Sequence, residues 1–345
     1  MDYKILDCTL RDGGYVNNWN FGYKNIKKIL NNLVAANIDI IECGFLNDEK
    51  QHSLNTSLFN TVYEVKSILP ENKRNSKFVC MINQGEYNVE KLPDSNETEL
   101  DGIRVAFHKE DFERALETCK IVIEKGYQLF IQPMVTNSYN DSEFLEMISI
   151  INKLNPYALY IVDSFGSMVE SDVLRLHKLA DKHLNQNIML GFHAHNNLQL
   201  AFSNAKLFTE IKSNRLKLID TSVLGMGRGA GNLNTEMFID YLNVMNNKRY
   251  KISPILQLID EVIYKIYKTN YWGYSIPYYF SAKYNCHPNY ATFLSKKREL
   301  NINDINNILS SIPNERKTTF DSVYIDSLYN QYNKKRSISF HKYIL

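Results

Sequence analysis

The sequence predicts an α/β protein, a TIM (β/α)₈ barrel followed by a helical C-terminal region. Three observations support this prediction. Short apolar runs recur along the first two thirds of the chain, helical patterns separate most of them, and polar residues gather where the runs end. The 345 residues are enough for a barrel of about 250 residues with an appendage.

Eight apolar runs are the candidate barrel strands. Each is short and too apolar for a strand with one face in water, which is typical of parallel sheets that are covered on both faces. Their starts fall about 25 to 39 residues apart, close to the size of a strand–helix unit. The runs are Tyr3–Asp7, Ile38–Glu42, Lys77–Ile82, Gly102–Phe107, Gln128–Pro133, Ala158–Asp163, Ile188–His193 and Leu216–Val223.

Segments with apolar residues at helical spacing lie between most of these runs. A doubly wound open sheet would show the same alternation. Polar residues at the carboxyl ends of the strands favour the barrel, because barrel active sites lie there. The predicted helices are Tyr23–Ala36, Asp111–Lys125, Asp141–Leu154, Val169–His183 and Asn197–Ile211.

The pattern changes after about residue 245. We therefore predict a barrel domain over residues 1–244 and a helical C-terminal region over residues 245–345. Helices are expected at Ser253–Thr269, Asn301–Ile312 and Ser322–Lys335, and the aromatic-rich stretch Tyr271–Tyr284 lies between the first two. Packing within the core is the first interpretation of those aromatic residues.

Composition narrows the classes of partner. The net charge is +2 and the 40 basic residues are scattered, which argues against nucleic acid and favours small-molecule ligands. Five cysteines without a CxxC pair indicate reduced, buried thiols. The first strand leaves no room for a signal peptide, and no run of about 18 apolar residues would span a membrane, so we expect a cytoplasmic protein without membrane contact.

Two strand ends carry residues that suit a metal site. Asp12 follows the first predicted strand, whereas His193 and His195 end the seventh. Because side chains alternate along a strand, both histidines point to the same side, and only the eighth strand separates the two segments once the barrel closes. Two imidazoles and one carboxylate with open positions suit Mn²⁺, Fe²⁺, Co²⁺, Zn²⁺ or Mg²⁺. Alone, each motif is a weak indicator; together at strand ends they are much stronger.

A glycine-rich segment, residues 225–232, directly follows the eighth predicted strand. One interpretation is a flexible turn or a phosphate-binding loop of the kind that barrels carry at this place. The other is a tight loop that presents the Asn232 side chain to the metal site. The sequence leaves both open.

Three segments together resemble the metal-dependent DRE-TIM lyase superfamily: residues 6–13, 191–197 and 225–232. That group includes hydroxymethylglutaryl-CoA lyase, isopropylmalate synthase and the pyruvate carboxyltransferases. Residues 104–108, 163–168 and 273–278 look most like the 4-hydroxy-2-oxovalerate aldolase branch. The resemblance covers about residues 3–240. It implies a divalent metal, and Mn²⁺ or Mg²⁺ is expected ahead of Zn²⁺ or Co²⁺.

The resemblance also implies roles for particular residues. Arg11 would stabilise a pyruvate enolate and bind its carboxylate, and Glu42 and Asp163 would line the mouth and orient a ligand or a water. The alternative for Glu42 is a structural strand-end carboxylate. Asp12, His193, His195 and Asn232 would form the metal site, and Arg104, His108, Tyr274 and Tyr278 would contact the substrate.

One departure concerns proton transfer, since Tyr15 stands where the aldolase branch has a histidine. Tyr15, a water or another group would then move the proton. The sequence thus predicts a class II aldolase that forms or cleaves a 4-hydroxy-2-oxo acid from pyruvate and an aldehyde, through a metal-bound pyruvate enolate. The alternatives are a Claisen-type condensation of an acyl-CoA with a 2-oxo acid, and a non-catalytic barrel subunit. A homodimer or an aldehyde dehydrogenase partner is the expected assembly.

Overall fold

The computed structural model describes residues 3–245 and 249–342, with side chains as far as residue 336. Its strands all pair in parallel, in the order β1-β9-β8-β7-β6-β5-β4-β2-β3. Pairing of β1 with β2 closes eight of them into a barrel, so the predicted (β/α)₈ fold is confirmed. The strands are β1 Tyr3–Asp7, β2 Ile40–Leu46, β3 Leu58–Phe59, β4 Lys77–Asn83, β5 Gly102–Phe107, β6 Gln128–Pro133, β7 Ala158–Asp163, β8 Met189–Ala194 and β9 Lys217–Thr221.

The second strand is the one whose end was predicted wrongly by the widest margin. It runs on to Leu46, four residues beyond the predicted end at Glu42, and its register against β4 shifts between Glu42 and Phe45. Gly44 has φ +148°, and a Cβ atom there would clash with the carbonyl oxygen of Ser57. The extension exists because β3 pairs with it, and a two-residue strand leaves almost no pattern in a sequence.

Helices cover the outside of the barrel. Two connections depart from the simple strand–helix alternation: one short helix, α3, follows β3, and only two 3₁₀ turns join β4 to β5. All five barrel helices that the sequence predicts are present. The helices are α1 Gly14–Asn17, α2 Tyr23–Ala35, α3 Val62–Val65, α4 Phe112–Glu124, α5 Asp141–Leu154, α6 Glu170–His183, α7 Ala201–Glu210 and α8 Thr235–Met245.

The C-terminal region is helical, as predicted. The first predicted helix is divided by a π-helical turn, Ile259–Ile263. Two segments, Ile276–Lys283 and Pro288–Ser295, form helices that the sequence did not predict. The helices are α9 Ile252–Leu258, α10 Tyr264–Thr269, α11 Ile276–Lys283, α12 Pro288–Ser295, α13 Ile302–Ser310 and α14 Ser322–Lys342.

Packing ties the two parts of this region to different cores. Ile255 and Leu258 of α9 belong to the layer of apolar side chains between the strands and their surrounding helices. Farther along, Tyr290, Leu294 and Ile308 belong to a separate apolar cluster that α12, α13 and α14 share. The boundary at residues 244 and 245 remains a prediction, since α9 packs on the barrel and the later helices pack on one another.

All five cysteines are buried and free of disulfides, as the sequence indicated. Within residues 3–245 and 249–342, no helix is both long and apolar enough to cross a membrane.

Candidate active site

A tight turn after β1 carries Arg11 and Asp12 into the mouth of the barrel. The backbone amides of both residues donate to the carbonyl oxygen of Cys8, at 3.1 and 2.8 Å. A Cβ atom at Gly13 would clash with the carbonyl oxygen of Thr9, so the turn requires glycine there. Trp19 then fixes the turn from outside, because its indole N–H donates to the Arg11 carbonyl oxygen at 2.8 Å.

The two histidines at the end of β8 are held through one ring nitrogen each. His193 Nδ1 lies 2.9 Å from a carboxylate oxygen of Asp220, and His195 Nδ1 lies 3.2 Å from the backbone oxygen of Asp163. Because both partners are acceptors, each Nδ1 carries the proton and each Nε2 keeps its lone pair. Those two Nε2 atoms face Asp12, at 3.4 Å for His193 and 3.5 Å for His195.

Asp12, His193 and His195 form a candidate metal site. One ligand atom from each lies within 4.8 Å of the others, and all three side chains are buried. Oδ1 of Asp12 receives no hydrogen bond from a described residue, and a buried acceptor without a donor is expected only where another ligand satisfies it. A two-histidine, one-carboxylate set with open positions suits a divalent transition metal.

The glycine-rich loop brings Asn232 beside this site. Asn232 Nδ2 donates to the carbonyl oxygen of Met226 at 3.1 Å, whereas its Oδ1 has no donor among the described residues. A Cβ atom at Gly227 would clash with Asn232 and lie 3.3 Å from Asp12 Oδ1. The loop backbone therefore passes directly over the candidate ligands, and the geometry supports the second interpretation of residues 225–232.

Six buried side chains form a closed ring of hydrogen bonds and ion pairs beneath the mouth, which we call the charge ring. Arg11 donates to Asp12 at 2.6 Å and to Glu42 at 2.8 Å. Arg104 donates to Glu42 at 2.8 Å and to Asp220, and Asp220 contacts His193, which closes the ring at Asp12. The ring contains three carboxylates and two guanidiniums, and this excess of negative charge favours a bound cation.

The ring controls the charge state of its members. Burial alone would raise the pKa of Asp12, but the Arg11 guanidinium and the two histidines hold that pKa well below its usual value. Asp220 shows the same balance, with Arg104 as the dominant cation that lowers its pKa against burial. Burial lowers the pKa of His195, which favours the neutral form that a metal needs. Hydrogen bonds to Asp12 and Asp220 instead raise the pKa of His193 against burial.

Two adjoining cavities open at the carboxyl ends of the strands. The inner cavity, of about 60 Å³, is lined by the candidate metal ligands together with Arg11 and Gln132. The outer cavity, of about 210 Å³, includes the predicted substrate residue His108 and also His287 from the C-terminal region. Tyr15 and Arg228 line both cavities, so the two volumes share one wall.

Besides Glu42 and Asn232, four residues with predicted roles line neither cavity. The carboxylate of Asp163 accepts hydrogen bonds from the backbone amides of Ser167 and Met168, and burial raises its pKa to about 7. Arg104 is fully buried within the ring. Among the predicted aromatic contacts, Tyr274 is half exposed and the Tyr278 hydroxyl pairs with Thr292. The catalytic role of Asp163 and the contact of Arg104, Tyr274 and Tyr278 with the substrate remain predictions.

Three residues that shape the site were missed by reasoning from sequence. Asp220 had a readable signal, since it is a carboxylate inside a buried apolar strand. Arg228 lies among glycines and was assigned no role. His287 carried no signal, because only the folded C-terminal region brings it to the mouth of the barrel.

Fold and site together define a TIM barrel with a candidate metal centre at the catalytic face. A sequence model of the HMGL-like family matches residues 2–262, and the chain therefore belongs to the HMGL-like family of lyases. A 4-hydroxy-2-oxovalerate aldolase from Geobacillus genomosp. 3 is 25% identical over 73% of this chain and 77% of its own length. One from Carboxydothermus hydrogenoformans is 27% identical over 75% of this chain and 76% of its own length.

Solved structures agree with this assignment. The N-terminal domain of a presumed aldolase from Bacteroides vulgatus superposes with a TM-score of 0.71 and 26% identity, over 86% of this chain and all of that chain. The HMG-CoA lyase from Brucella melitensis gives 0.60 at 16% identity, over 75% of this chain and 96% of its own. The second comparison supports the fold alone.

Proposed function

We propose that the protein is a divalent-metal-dependent aldolase that joins pyruvate to an aldehyde, or cleaves the resulting 4-hydroxy-2-oxo acid. The observation that carries the proposal is the set of three ligand atoms within 4.8 Å of one another, beside the Arg11 side chain in the barrel mouth. The names of the curated relatives support the reaction class.

The metal would be held by Asp12, His193 and His195, with Asn232 Oδ1 close by. When bound, it would act as a Lewis acid that polarises the ketone of a 2-oxo acid. We propose Mn²⁺ or Mg²⁺, with Zn²⁺ or Co²⁺ as alternatives, because open positions and oxygen-rich substrates suit all four. Metal analysis of the purified protein identifies which one is present.

Arg11 would bind and stabilise the pyruvate enolate. Glu42 and Asp12 hold its Nε and Nη1 atoms, whereas Nη2 is engaged by none of the described residues. The fixed guanidinium thus presents a donor to the inner cavity, where negative charge develops on the former keto oxygen. Glu42 would act by orienting Arg11, since its carboxylate is fully buried beneath it.

In the direction of synthesis, pyruvate C3 loses a proton and its electrons form a bond to the aldehyde carbon. The aldehyde oxygen takes up one proton, so the atoms balance; cleavage is the reverse. Tyr15 lines both cavities and packs against Trp19, with ring centroids 4.7 Å apart. We propose that its hydroxyl, directly or through a water, transfers this proton.

Deuterium exchange at pyruvate C3 tests the proposal without knowledge of the aldehyde. Pyruvate is incubated with protein and Mn²⁺ in D₂O, quenched, and analysed by mass spectrometry, with a chelated sample in parallel. We expect metal-dependent exchange that falls at least about 100-fold in Asp12→Asn, because a lost ligand costs more than a lost outer-shell partner. Metal content of each variant is measured on the same samples.

A matched control is Asp141→Asn, which makes the same chemical change at an exposed residue paired with Arg175. Its exchange rate and metal content should equal those of the wild type. Bound metal without exchange in the wild type would contradict the proposal and favour a condensation that uses an acyl-CoA. A homodimer or an aldehyde dehydrogenase partner stays a prediction, which native mass spectrometry and pull-down address.

A further inference from the structure

The outer cavity has the size and place of a site for the second substrate. Its volume of about 210 Å³ is below the roughly 300–1,000 Å³ of pockets that hold drug-sized ligands. It shares Tyr15, Met134 and Arg228 with the inner cavity. A small molecule in the outer cavity therefore lies against the same wall as one beside the candidate metal ligands.

The two carboxylates that line the outer cavity are already engaged by neighbouring side chains. Glu86 accepts hydrogen bonds from Asn47 at 2.9 Å and from Asn83 at 3.1 Å. Asp111 pairs with Arg114. Neither carboxylate forms an ion pair with Arg228, which also lines this cavity.

Arg228 is a half-buried cation without an acidic partner. Among the residues whose side chains are described, no carboxylate forms an ion pair with it; it stacks 3.9 Å from the centre of the Tyr15 ring, and its Nη1 lies 3.0 Å from His287 Nε2. Removal of a guanidinium from water is costly unless an anion compensates it. Its planar fork matches the oxygens of a carboxylate or a phosphate.

His287 adds a second donor at the same point. Its Nδ1 accepts a hydrogen bond from the backbone N–H of Asn289 at 3.1 Å, a bond that caps α12. A neutral imidazole has only one acceptor nitrogen, so with this cap in place Nε2 carries the proton. Arg228 and His287 then present two N–H donors toward each other. One oxyanion beside this pair of nitrogens, which lie 3.0 Å apart, would accept from both.

From these contacts we infer that the outer cavity binds an aldehyde with an anionic group, and that Arg228 and His287 hold that group. The inference rests on the proposed aldolase function and names its acceptor class. The carboxylate or phosphate would bind at the end of the aldehyde remote from the carbonyl carbon that pyruvate C3 attacks. The product is then a 4-hydroxy-2-oxo acid with a second anionic group.

The charge state of His287 agrees with this arrangement. Burial, together with the adjacent Arg228 charge, holds the pKa of His287 well below its usual value. The imidazole is therefore neutral near pH 7, and the positive charge at this point comes from the guanidinium.

The test compares aldehydes that differ in charge. The kcat/KM for addition of pyruvate is measured with succinic semialdehyde against pentanal, and with glyceraldehyde 3-phosphate against glyceraldehyde. The wild type should favour the anionic member of at least one pair by about 10- to 100-fold, the range of one charged hydrogen-bonding contact. Which pair shows the preference separates a carboxylate acceptor from a phosphate acceptor.

Arg228→Met should bring that ratio close to one, and Arg228→Lys, which keeps the charge without the fork, should give an intermediate ratio. Arg175→Met is the matched control, since this arginine pairs with Asp141 away from the cavities; it should keep the wild-type ratio. Melting curves confirm that each variant is folded. If Arg228→Met does not fold, the comparison is made with Arg228→Lys instead.

Three results would overturn the inference. One is a wild-type ratio near one while pyruvate exchange proceeds, which leaves the aldolase function intact. Another is a rise in KM for pyruvate in Arg228→Met with the aldehyde ratio unchanged, which would assign Arg228 to the pyruvate carboxylate. If the wild type shows neither pyruvate exchange nor aldol addition, the proposed function is wrong, and the inference that rests on it is wrong as well.

Discussion

The charge ring and the outer cavity lie next to each other but differ in how their buried arginines are compensated. In the ring, Arg11 and Arg104 each contact two acidic side chains, and all six members are 7% exposed or less. In the outer cavity, Arg228 has a neutral imidazole and an aromatic face. Arg104, whose charge is compensated on both sides, serves as scaffold, whereas Arg228 is free to bind an anionic ligand. Arg11 lies between these cases, because Glu42 and Asp12 engage only its Nε and Nη1 atoms.

The ring and the outer cavity also differ in the elements that hold their residues in place. Four members of the ring, Glu42, Arg104, His193 and Asp220, lie on barrel strands that pair with a neighbour on both sides. Arg11 and Asp12 lie on the tight turn after β1. The outer cavity joins the 225–232 loop to the C-terminal region, where the Trp272 indole N–H donates to the Leu224 carbonyl oxygen at 3.0 Å. Barrel enzymes commonly vary specificity through such loops while the strand ends keep the chemistry.

The largest expected effect comes from breaking the ring. Arg104→Met removes the cation between Glu42 and Asp220 and leaves one guanidinium for three buried carboxylates. We expect a loss of about 3–5 kcal/mol in the free energy of unfolding, measured by urea denaturation. Arg228→Met makes the same change in the outer cavity, and it should cost less than about 1 kcal/mol because no carboxylate loses a partner. Equal losses would show that the two guanidiniums do not differ as described.

Asp163 should give an intermediate effect on stability, because none of the residues whose side chains are described forms an ion pair with its buried carboxylate. Burial raises its pKa from 3.8 to about 7, so the folded state holds a proton that the unfolded chain releases above pH 3.8. Stability from this group is therefore fully present at low pH and is lost as pH rises through about 7. Relative to Asp163→Asn, the metal-free wild type should lose about 2–4 kcal/mol of unfolding free energy between pH 4 and 7.

Urea titrations of both proteins at several pH values measure this difference. A difference that stays flat with pH would mean that the Ser167 and Met168 amides keep the carboxylate ionised throughout. Asp163 would then resemble the ring carboxylates, and the contrast between paired and unpaired buried charges would fail at this position.

Local periodicity explains what could be predicted from the sequence. Asp12, His193 and His195 follow strand ends, and strand geometry alone brings such residues to one face of a barrel. The apolar runs likewise predicted the eight barrel strands, because a buried parallel strand must be apolar on both faces. These features depend on neighbours within a few residues.

What could not be predicted depends on distant contacts. Arg104 and Asp220 are 116 residues apart, and no spacing rule relates them. His287 reaches the mouth only because α11 to α14 fold against one another. The last four residues of β2 need the pairing with β3. In each case the determining interaction is tertiary, so it leaves no local pattern.

The smallest expected effect concerns the link between the ring and the candidate metal. Asp220 holds His193 Nδ1 at 2.9 Å and contacts Arg104. Asp220→Asn keeps one acceptor oxygen but replaces the other with a donor, so the imidazole is less firmly oriented and less basic. We expect Mn²⁺ affinity to fall about 10- to 100-fold, measured by competition with a chelating dye.

Asp181→Asn is the matched control, because Asp181 pairs with Arg215 and lines neither cavity. If Asp220→Asn lowers stability but leaves Mn²⁺ affinity at the control value, the ring is only a scaffold. A selective loss of affinity would instead show that its buried charges act on the metal through His193.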